Sequence, residues 1–361
     1  MISSSSCSKF QVGIFLGKRA IESVSSIVEK LRHSCGQSYD MTVSMAWFLA
    51  LSDRWNTLPV VILLHSNRIP FGALLLHGTK FGRFPIGTFR GGYLCGRGCV
   101  IGNSNNYMSI IEYGTAALIK NRFSHTIIVS LLIPPATIDE TAGRQANATP
   151  SKNWQFREMR SSLPLAGGMS GLTSRFSQKM RKNFRYYKRR AEEDFGCVFH
   201  ASLTSIQATA AVERLQAVAA RFEKLEKALR RQSAIEKQPG SFSMGLTDKT
   251  GAWVSYISGW RQGKTCIVEW QLNHENLNNS SMSMAMRHFF LQHEIDNGME
   301  GVVFLAGTTP IWSRVCEPQI CGDYLATPEG IPGKIIRGAY SLLHPRGKVS
   351  QLSRLHKKSA A

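Results

Sequence analysis

The chain has 361 residues, 43% of them hydrophobic, and its 44 Lys and Arg against 24 Asp and Glu give a formal net charge of +20. That length suits two ordinary domains, and the charge favours a polyanionic partner such as nucleic acid, an acidic membrane surface or a phosphorylated cofactor. The apolar runs are too short for a transmembrane helix, and the first residues do not resemble a secretory signal, so we expect a cytoplasmic protein with no membrane span.

The eight cysteines are expected to remain free thiols, because disulfides are rare in cytoplasmic proteins. Cys95 with Cys99 and Cys316 with Cys321 are close in sequence, but neither pair has a second Cys or His pair near it at zinc-finger spacing. We therefore predict no metal site.

The first half has the pattern of an α/β unit. In chain order, the sequence predicts a hairpin with strands 59–65 and 71–77, a glycine-dense turn region at 88–102, a helix at 105–122 and a buried strand at 125–133. The strand ends at two consecutive prolines, Pro134 and Pro135.

The second half repeats part of that order. It predicts helices at 174–195 and 206–231, a hairpin with strands 252–260 and 265–272, a helix at 281–297 and a short strand at 302–306. The order hairpin, helix, strand thus occurs twice, which indicates an internal duplication. We predict an α/β protein (α+β mixed sheet) with two similar halves.

The region between the halves, from Pro134 to about Thr173, is rich in Pro, Gly, Ser, Thr and Asn and has no sustained period. We place the inter-domain connection there. The predicted division is 1–150, 151–345 and a basic tail at 346–361 that we expect to be disordered.

The segment SQKMRKNFRYYKRRAEEDFG, Ser177 to Gly196, and the tetrapeptide Met45-Ala46-Trp47-Phe48 carry a family resemblance. Together with the order of elements, they make the chain similar to the GNAT-superfamily branch with duplicated halves, which includes Fem-type aminoacyltransferases and an acetyltransferase domain of polysaccharide biosynthesis. The resemblance implies two GNAT-like halves in tandem, the second of which carries the acyl-donor site. The glycine signature Q/R-x-x-G-x-G/A of the superfamily is absent here.

The resemblance also implies a site for the co-substrate, acetyl-CoA or another acyl-CoA, where a core strand leads into a helix. In GNAT proteins the pyrophosphate lies on backbone N–H groups at that helix start. Here the junction runs from Asn273 to Met284, and the candidate cofactor-binding residues are Gln271, Ser280, Ser281 and Ser283. The serines could equally form a plain helix N-cap.

Acyl transfer to an amine needs a base for the amine proton and an acid for the leaving thiolate. Glu269 is the candidate base and Tyr256, on the partner strand, the candidate acid. The alternatives are a solvated or Arg-paired carboxylate and a tyrosine that only packs. Strand alternation predicts Cys266, Val268, Trp270 and Leu272 on one face and Ile267, Glu269 and Gln271 on the other.

Six cations of the 177–196 segment are candidates for contact with tRNA or another polyanion: Arg181, Lys182, Arg185, Lys188, Arg189 and Arg190. A solvated helix face is the alternative. Three functions follow as expectations. The first is acyl transfer from acyl-CoA to an amine or hydroxyl of a small molecule, sugar or envelope precursor. The others are Fem-like aminoacyl transfer from charged tRNA and a non-catalytic module that binds polyanions.

Overall fold

The computed structural model describes residues 4–7, 10–38, 40–81, 84–92, 97–121, 126–133, 154–218, 224–275, 277, 281–305 and 310–343. The predicted boundary at 150/151, the predicted tail at 346–361 and Ser280 lie outside these residues. Contacts divide the chain into two compact units, residues 1–159 with 319–361 and residues 160–318. The function assigned to each half remains a prediction.

The strands, in chain order, are β1 Ser4–Cys7, β2 Phe10–Leu16, β3 Leu58–Ser66, β4 Ile69–Phe81, β5 Phe84–Gly91, β6 Val100–Gly102, β7 Thr126–Ile133, β8 Trp154–Pro164, β9 Val198–His200, β10 Ser241–Thr247, β11 Trp253–Gln262, β12 Thr265–Asn273, β13 Gly301–Phe304 and β14 Glu317–Ala326. The helices are α1 Lys18–Glu22, α2 Ser25–Ser34, α3 Met45–Trp55, α4 Tyr107–Lys120, α5 Gly168–Ser174, α6 Gln178–Glu193, α7 Ser205–Gln216, α8 Leu225–Glu236, α9 Met282–Asp296, α10 Pro310–Ser313 and α11 Ile331–Leu343.

The first unit is a mixed sheet in the order β1-β2-β3-β4-β5-β7-β14, with β6 paired to β4. The pair β5 and β7 is parallel and is connected through α4, whereas β2, β3, β4 and β5 pair antiparallel. Val60 and Ile62 of β3 pack in a core with Ile110 of α4, while Val61 and Leu63 pack with Val28 of α2. Both faces of β3 are covered, which explains its continuous apolar run.

The second unit is a mixed sheet in the order β8-β13-β12-β11-β10-β9. Here β12 and β13 form the parallel pair, connected through α9, and β9 to β12 pair antiparallel. A core of Val268, Phe290, Phe184 and Trp312 joins the sheet to α9, α6 and α10. Both units thus contain a strand, a helix and a parallel strand in sequence, as the predicted mixed α/β class requires.

Several predicted elements are confirmed with small changes of boundary: both hairpins, the helices α4 and α9, and the strand β7. The predicted helix at 206–231 is wrong as one element, because α7 ends at Gln216 and α8 begins at Leu225. The predicted helix at 174–195 begins later, at Gln178, because Ser177 Oγ accepts a hydrogen bond from the Met180 amide at 3.2 Å and caps α6. The glycine-dense region contributes residues to β5 and β6.

In the part of the chain that the structure describes, no helix has both the length and the apolar character needed to cross a bilayer. The same residues contain no group of three His, Cys, Asp or Glu side chains placed to hold a metal ion.

Candidate active site

The sheet of the second unit opens between its two parallel strands. Pairing of β12 with β13 runs from Thr265 with Gly301 to Val268 with Phe304, and the Leu305 amide adds a bond to the Val268 carbonyl at 2.9 Å. Beyond Val268, β12 continues to Asn273 and stays paired with β11 only, as far as the described residues extend. One edge of β12 is therefore left without a strand partner, a short distance in sequence before α9 begins.

A β-bulge lies at the start of this open segment. The register of β11 and β12 changes from Ser258 with Trp270 to Gly259 with Val268, so Glu269 is the extra residue. A Cβ atom at Gly259 would lie 1.8 Å from the Ile267 carbonyl oxygen, which no side chain tolerates. The close approach of two backbones at the bulge thus requires glycine at position 259.

The bulge makes the predicted alternation of β12 wrong from Trp270 onward, whereas Glu269 lies opposite Cys266 as predicted. The Cys266 thiol contacts Glu294 of α9 at 2.8 Å, whereas Trp270 Nε1 donates to Ser258 Oγ at 2.6 Å and its ring lies under Arg231 of α8. Cys266 and Trp270 therefore face opposite sides. Because of the extra residue, Gln271 lies on the α9 side, the same side as Cys266, where it contacts Arg287 and Ser283.

Replacing Gly259 with alanine is expected to destabilise the protein by about 2 kcal/mol, because the bulge must deform to admit a methyl group. Urea denaturation followed by circular dichroism measures the change. Gly263 is a matched control: it lies in the turn after β11 and its Cβ would meet nothing within 4 Å, although its φ of +56° predicts a small cost of its own. A Gly259→Ala variant as stable as the wild type would contradict the backbone contact.

Glu269 lies on the α8 side of the sheet and is fully buried. Its Oε1 accepts a hydrogen bond from Arg231 Nε at 3.0 Å, and Arg231 Nη2 donates to the Glu269 backbone carbonyl at 3.1 Å. The guanidinium also lies 4.6 Å from the centroid of the Trp270 ring. The Glu269 carboxylate is therefore paired with an arginine. The sequence left open two structural alternatives to a catalytic base, a solvated carboxylate and an Arg-paired one, and the structure shows the second.

Tyr256 is also buried and belongs to the same side of the sheet. Its hydroxyl donates to Gln232 Oε1 and lies 3.0 Å from Ser243 Oγ. Burial raises the pKa of this phenol well above its ordinary value, so the group stays protonated at neutral pH. Arg231 and Gln232, adjacent on α8, thus position the two candidate catalytic side chains.

Of the candidate cofactor residues, Ser281 and Ser283 lie at the start of α9 and Gln271 lies in β12. Ser281 is the N-cap residue of α9, with φ of +48°, but its side chain makes no capping hydrogen bond. The Gln271 amide donates to the Ser283 carbonyl at 3.1 Å and to Asn273 Oδ1 at 3.0 Å. This side chain ties the open end of β12 to the first turn of α9.

Arg287 is a residue that the sequence analysis missed. It lies in α9 with 9% of its surface exposed, donates through Nε to Gln271 Oε1 at 3.0 Å, and stacks on the rings of Phe304 and Trp312 at 5.0 Å each. An available signal was the arginine that directly follows the mostly apolar segment 282–286. A cation on the buried face of a helix calls for an explanation.

The cations of α6 form two groups. Lys188, Arg189 and Arg190 pair with acids one turn later in the same helix. Arg181, Lys182 and Arg185 have no acidic partner among the described residues and, with Gln178, Tyr186 and Arg189, line a groove of about 510 Å³. Three of the six candidate cations are thus paired with neighbouring acids, and the other three line one groove together with the paired Arg189.

No protein-family model and no curated protein sequence matches the chain. The fold, in contrast, matches solved structures. FemX aligns with a TM-score of 0.57 at 9% identity, over 84% of this chain and 96% of FemX. A conserved protein of unknown function from Bacteroides thetaiotaomicron aligns with a TM-score of 0.51 at 12% identity, over 90% of this chain and all of that one.

A tandem GNAT protein from the clavulanic acid biosynthesis pathway aligns with a TM-score of 0.48 at 12% identity, over 88% of this chain and all of that protein. Likeness at such low identity speaks to architecture and leaves the chemistry to the site. The match to FemX shows that the chain has the FemX fold, and at the level of the fold it confirms the expected resemblance to Fem-type proteins.

Proposed function

We propose that the chain is an acyltransferase that takes an acyl group from acetyl-CoA or another acyl-CoA and passes it to an amine or hydroxyl. The observation that carries the proposal is the opening between β12 and β13, where β12 extends past the last residue paired with β13 and α9 begins nearby. An extended donor can add to a free strand edge through its amide groups.

The start of α9 supports a place for the donor's phosphates. Helix N-termini present N–H groups without intrahelical partners and attract anions. Ser281 and Ser283 are small, and the Ser281 side chain makes no capping hydrogen bond, so the amides of Met282 and Ser283 have no hydrogen-bond partner among the described residues. With Gln271 and Ser280, these residues are the proposed cofactor contacts. The acceptor would be a small molecule, a sugar or an envelope precursor.

Glu269 and Tyr256 are the proposed acid–base pair. As the acceptor nitrogen attacks the thioester carbon, the carboxylate of Glu269 would take the amine proton and the C–S bond would break. The phenol of Tyr256 would return a proton to the thiolate. Arg231 fixes the carboxylate on the bulge beside the opening, and in this scheme the acceptor would enter the buried space beside Glu269.

Acetyl-CoA is expected to bind the full chain with a dissociation constant in the micromolar range, of order 1–100 μM, measured by calorimetry. Glu269→Gln should then lower kcat by about 10²-fold while leaving acetyl-CoA affinity unchanged, because a base acts on the proton and not on the donor. The exposed pair Lys264 with Glu300 supplies a control, Glu300→Gln. Unaltered turnover in Glu269→Gln would remove this residue from the mechanism.

Aminoacyl transfer from charged tRNA is the second candidate, and a non-catalytic module that binds a polyanion is the third. The groove with Arg181, Lys182 and Arg185 supports both, because a phosphate backbone needs cations that are not already neutralised. Absence of heat with acetyl-CoA, together with salt-sensitive RNA binding, would favour these two over the first proposal.

A further inference from the structure

Arg287 occupies the open end of the sheet in the second unit. Its partners lie on three elements: Gln271 on the part of β12 beyond the parallel pairing, Phe304 at the last residue of β13 and Trp312 in α10. The two rings contact the guanidinium faces, which leaves its hydrogen-bonding edge as the only polar surface of the group. Both rings are almost fully buried, so this position is firmly fixed.

The orientation of the guanidinium is set by a short chain of hydrogen bonds. The Gln271 amide nitrogen donates to Asn273 Oδ1 and to the Ser283 carbonyl, and Asn273 Oδ1 also accepts from Ser255 Oγ at 2.8 Å. These bonds turn the Gln271 oxygen toward Arg287 Nε. The Nε group of Arg287 is therefore already used in a hydrogen bond, whereas Nη1 makes none.

The charge of Arg287 has no counter-ion among the described residues. Nη1 is buried and makes no hydrogen bond, and no carboxylate pairs with the guanidinium. The buried acids of β12 and α9 already have other partners: Glu269 binds Arg231 and Glu294 binds Arg261. Burial lowers the pKa of Arg287 to about 10, which still leaves it a cation at neutral pH.

Packing alone is a poor account of this arrangement. Two aromatic rings can hold an arginine, but an unpaired buried charge costs several times more than a typical cation–π contact returns. A methionine of similar length would fill the same space without that cost. An arginine here therefore points to a ligand that supplies the missing negative charge.

We propose that Arg287 is the anion-recognition residue of a ligand site at the open end of β12 and β13, where it binds a carboxylate or a phosphate. The planar guanidinium matches the paired oxygens of either group. With 9% of its surface exposed, Arg287 remains within reach of solvent. The proposed anion binding at Arg287 does not depend on acyl transfer, so this proposal and the transferase proposal can fail separately.

Thermal unfolding of the full chain tests the proposal with Arg287→Met and Arg287→Lys as variants. Without added anion, Arg287→Met should unfold at the wild-type temperature or above it, because the variant removes an unpaired buried charge. Phosphate or acetate is then added at tenfold its dissociation constant, and chloride at equal ionic strength serves as the reference. The anion should raise the midpoint temperature of wild-type unfolding by about 3 °C and leave that of Arg287→Met unchanged. Arg287→Lys should respond weakly, since an ammonium lacks the planar fork.

The two anions separate the possible sources of the ligand group. A response to phosphate and CoA with none to acetate would assign the site to a phosphorylated ligand, and the reverse would assign it to a carboxylate. Equal responses of wild type and Arg287→Met, or a wild-type midpoint that no anion moves, would overturn the proposal. Calorimetry with acetyl-CoA on both proteins shows independently whether the transferase proposal survives.

Discussion

Replacing Glu294 with alanine is expected to lower the free energy of unfolding by about 3 kcal/mol. Glu294 is fully buried and accepts hydrogen bonds from Arg261 Nε at 2.9 Å and Nη2 at 2.6 Å, and from the Cys266 thiol at 2.8 Å. The hydrogen bonds to Glu294 raise the pKa of Arg261, which is a cation at neutral pH. Removal of the Glu294 carboxylate leaves this cation without its partner. The Arg261 side chain keeps 29% exposure, which places the cost at the lower end for a broken buried pair.

Urea denaturation measures the loss, and an unchanged m value would confirm that the variant unfolds in the same way. Glu300→Ala is the matched control, since its pair with Lys264 is exposed at both ends and should contribute less than about 1 kcal/mol. The double variant Arg261→Met and Glu294→Met should recover most of the stability, because apolar side chains replace a buried pair at little cost. Equal losses in the Glu294 and Glu300 variants would refute this account of the cluster.

The sequence predicted the elements that have strong periodicity. The strand at 59–65 and the hairpin around Gly263 were visible because runs of apolar residues of strand length are bounded by turn residues. The strand β10 was missed, since its residues Ser241 to Thr247 include Ser, Gly and Thr and follow a segment that looked like loop. The predicted helix at 206–231 joined α7 and α8 into one element because apolar residues continue at helical spacing through Val218, Phe222, Leu225 and Leu229.

The site depends on a β-bulge, which the spacing of apolar residues does not reveal. A bulge shifts every later side chain of a strand to the opposite face. Gly259, isolated within a strand of buried residues, was the available signal. The pairing of Glu269 with Arg231 could not be predicted, because these residues lie on different elements and meet only after the helix α8 packs on the sheet.

Replacing Arg181, Lys182 and Arg185 with glutamine is expected to weaken binding of RNA by about 10³-fold at 50 mM salt. Each phosphate contact releases condensed counterions, so three lost contacts should reduce the slope of log affinity against log salt by about 2–3. These three residues line a groove on α6 and have no acidic partner among the described residues. Filter binding or fluorescence anisotropy across a salt series gives both quantities.

A second triple variant separates the groove from net charge. Arg190, Arg230 and Lys264 each pair with an acid outside the groove, so replacing them with glutamine removes the same formal charge. If the groove binds the phosphate backbone, this variant should keep most of the affinity and most of the salt slope. Equal loss of RNA affinity in the two triple variants would mean that binding depends only on the net charge of +20. In that case the groove would lend no support to aminoacyl transfer from tRNA, and acyl-CoA would remain the donor to test.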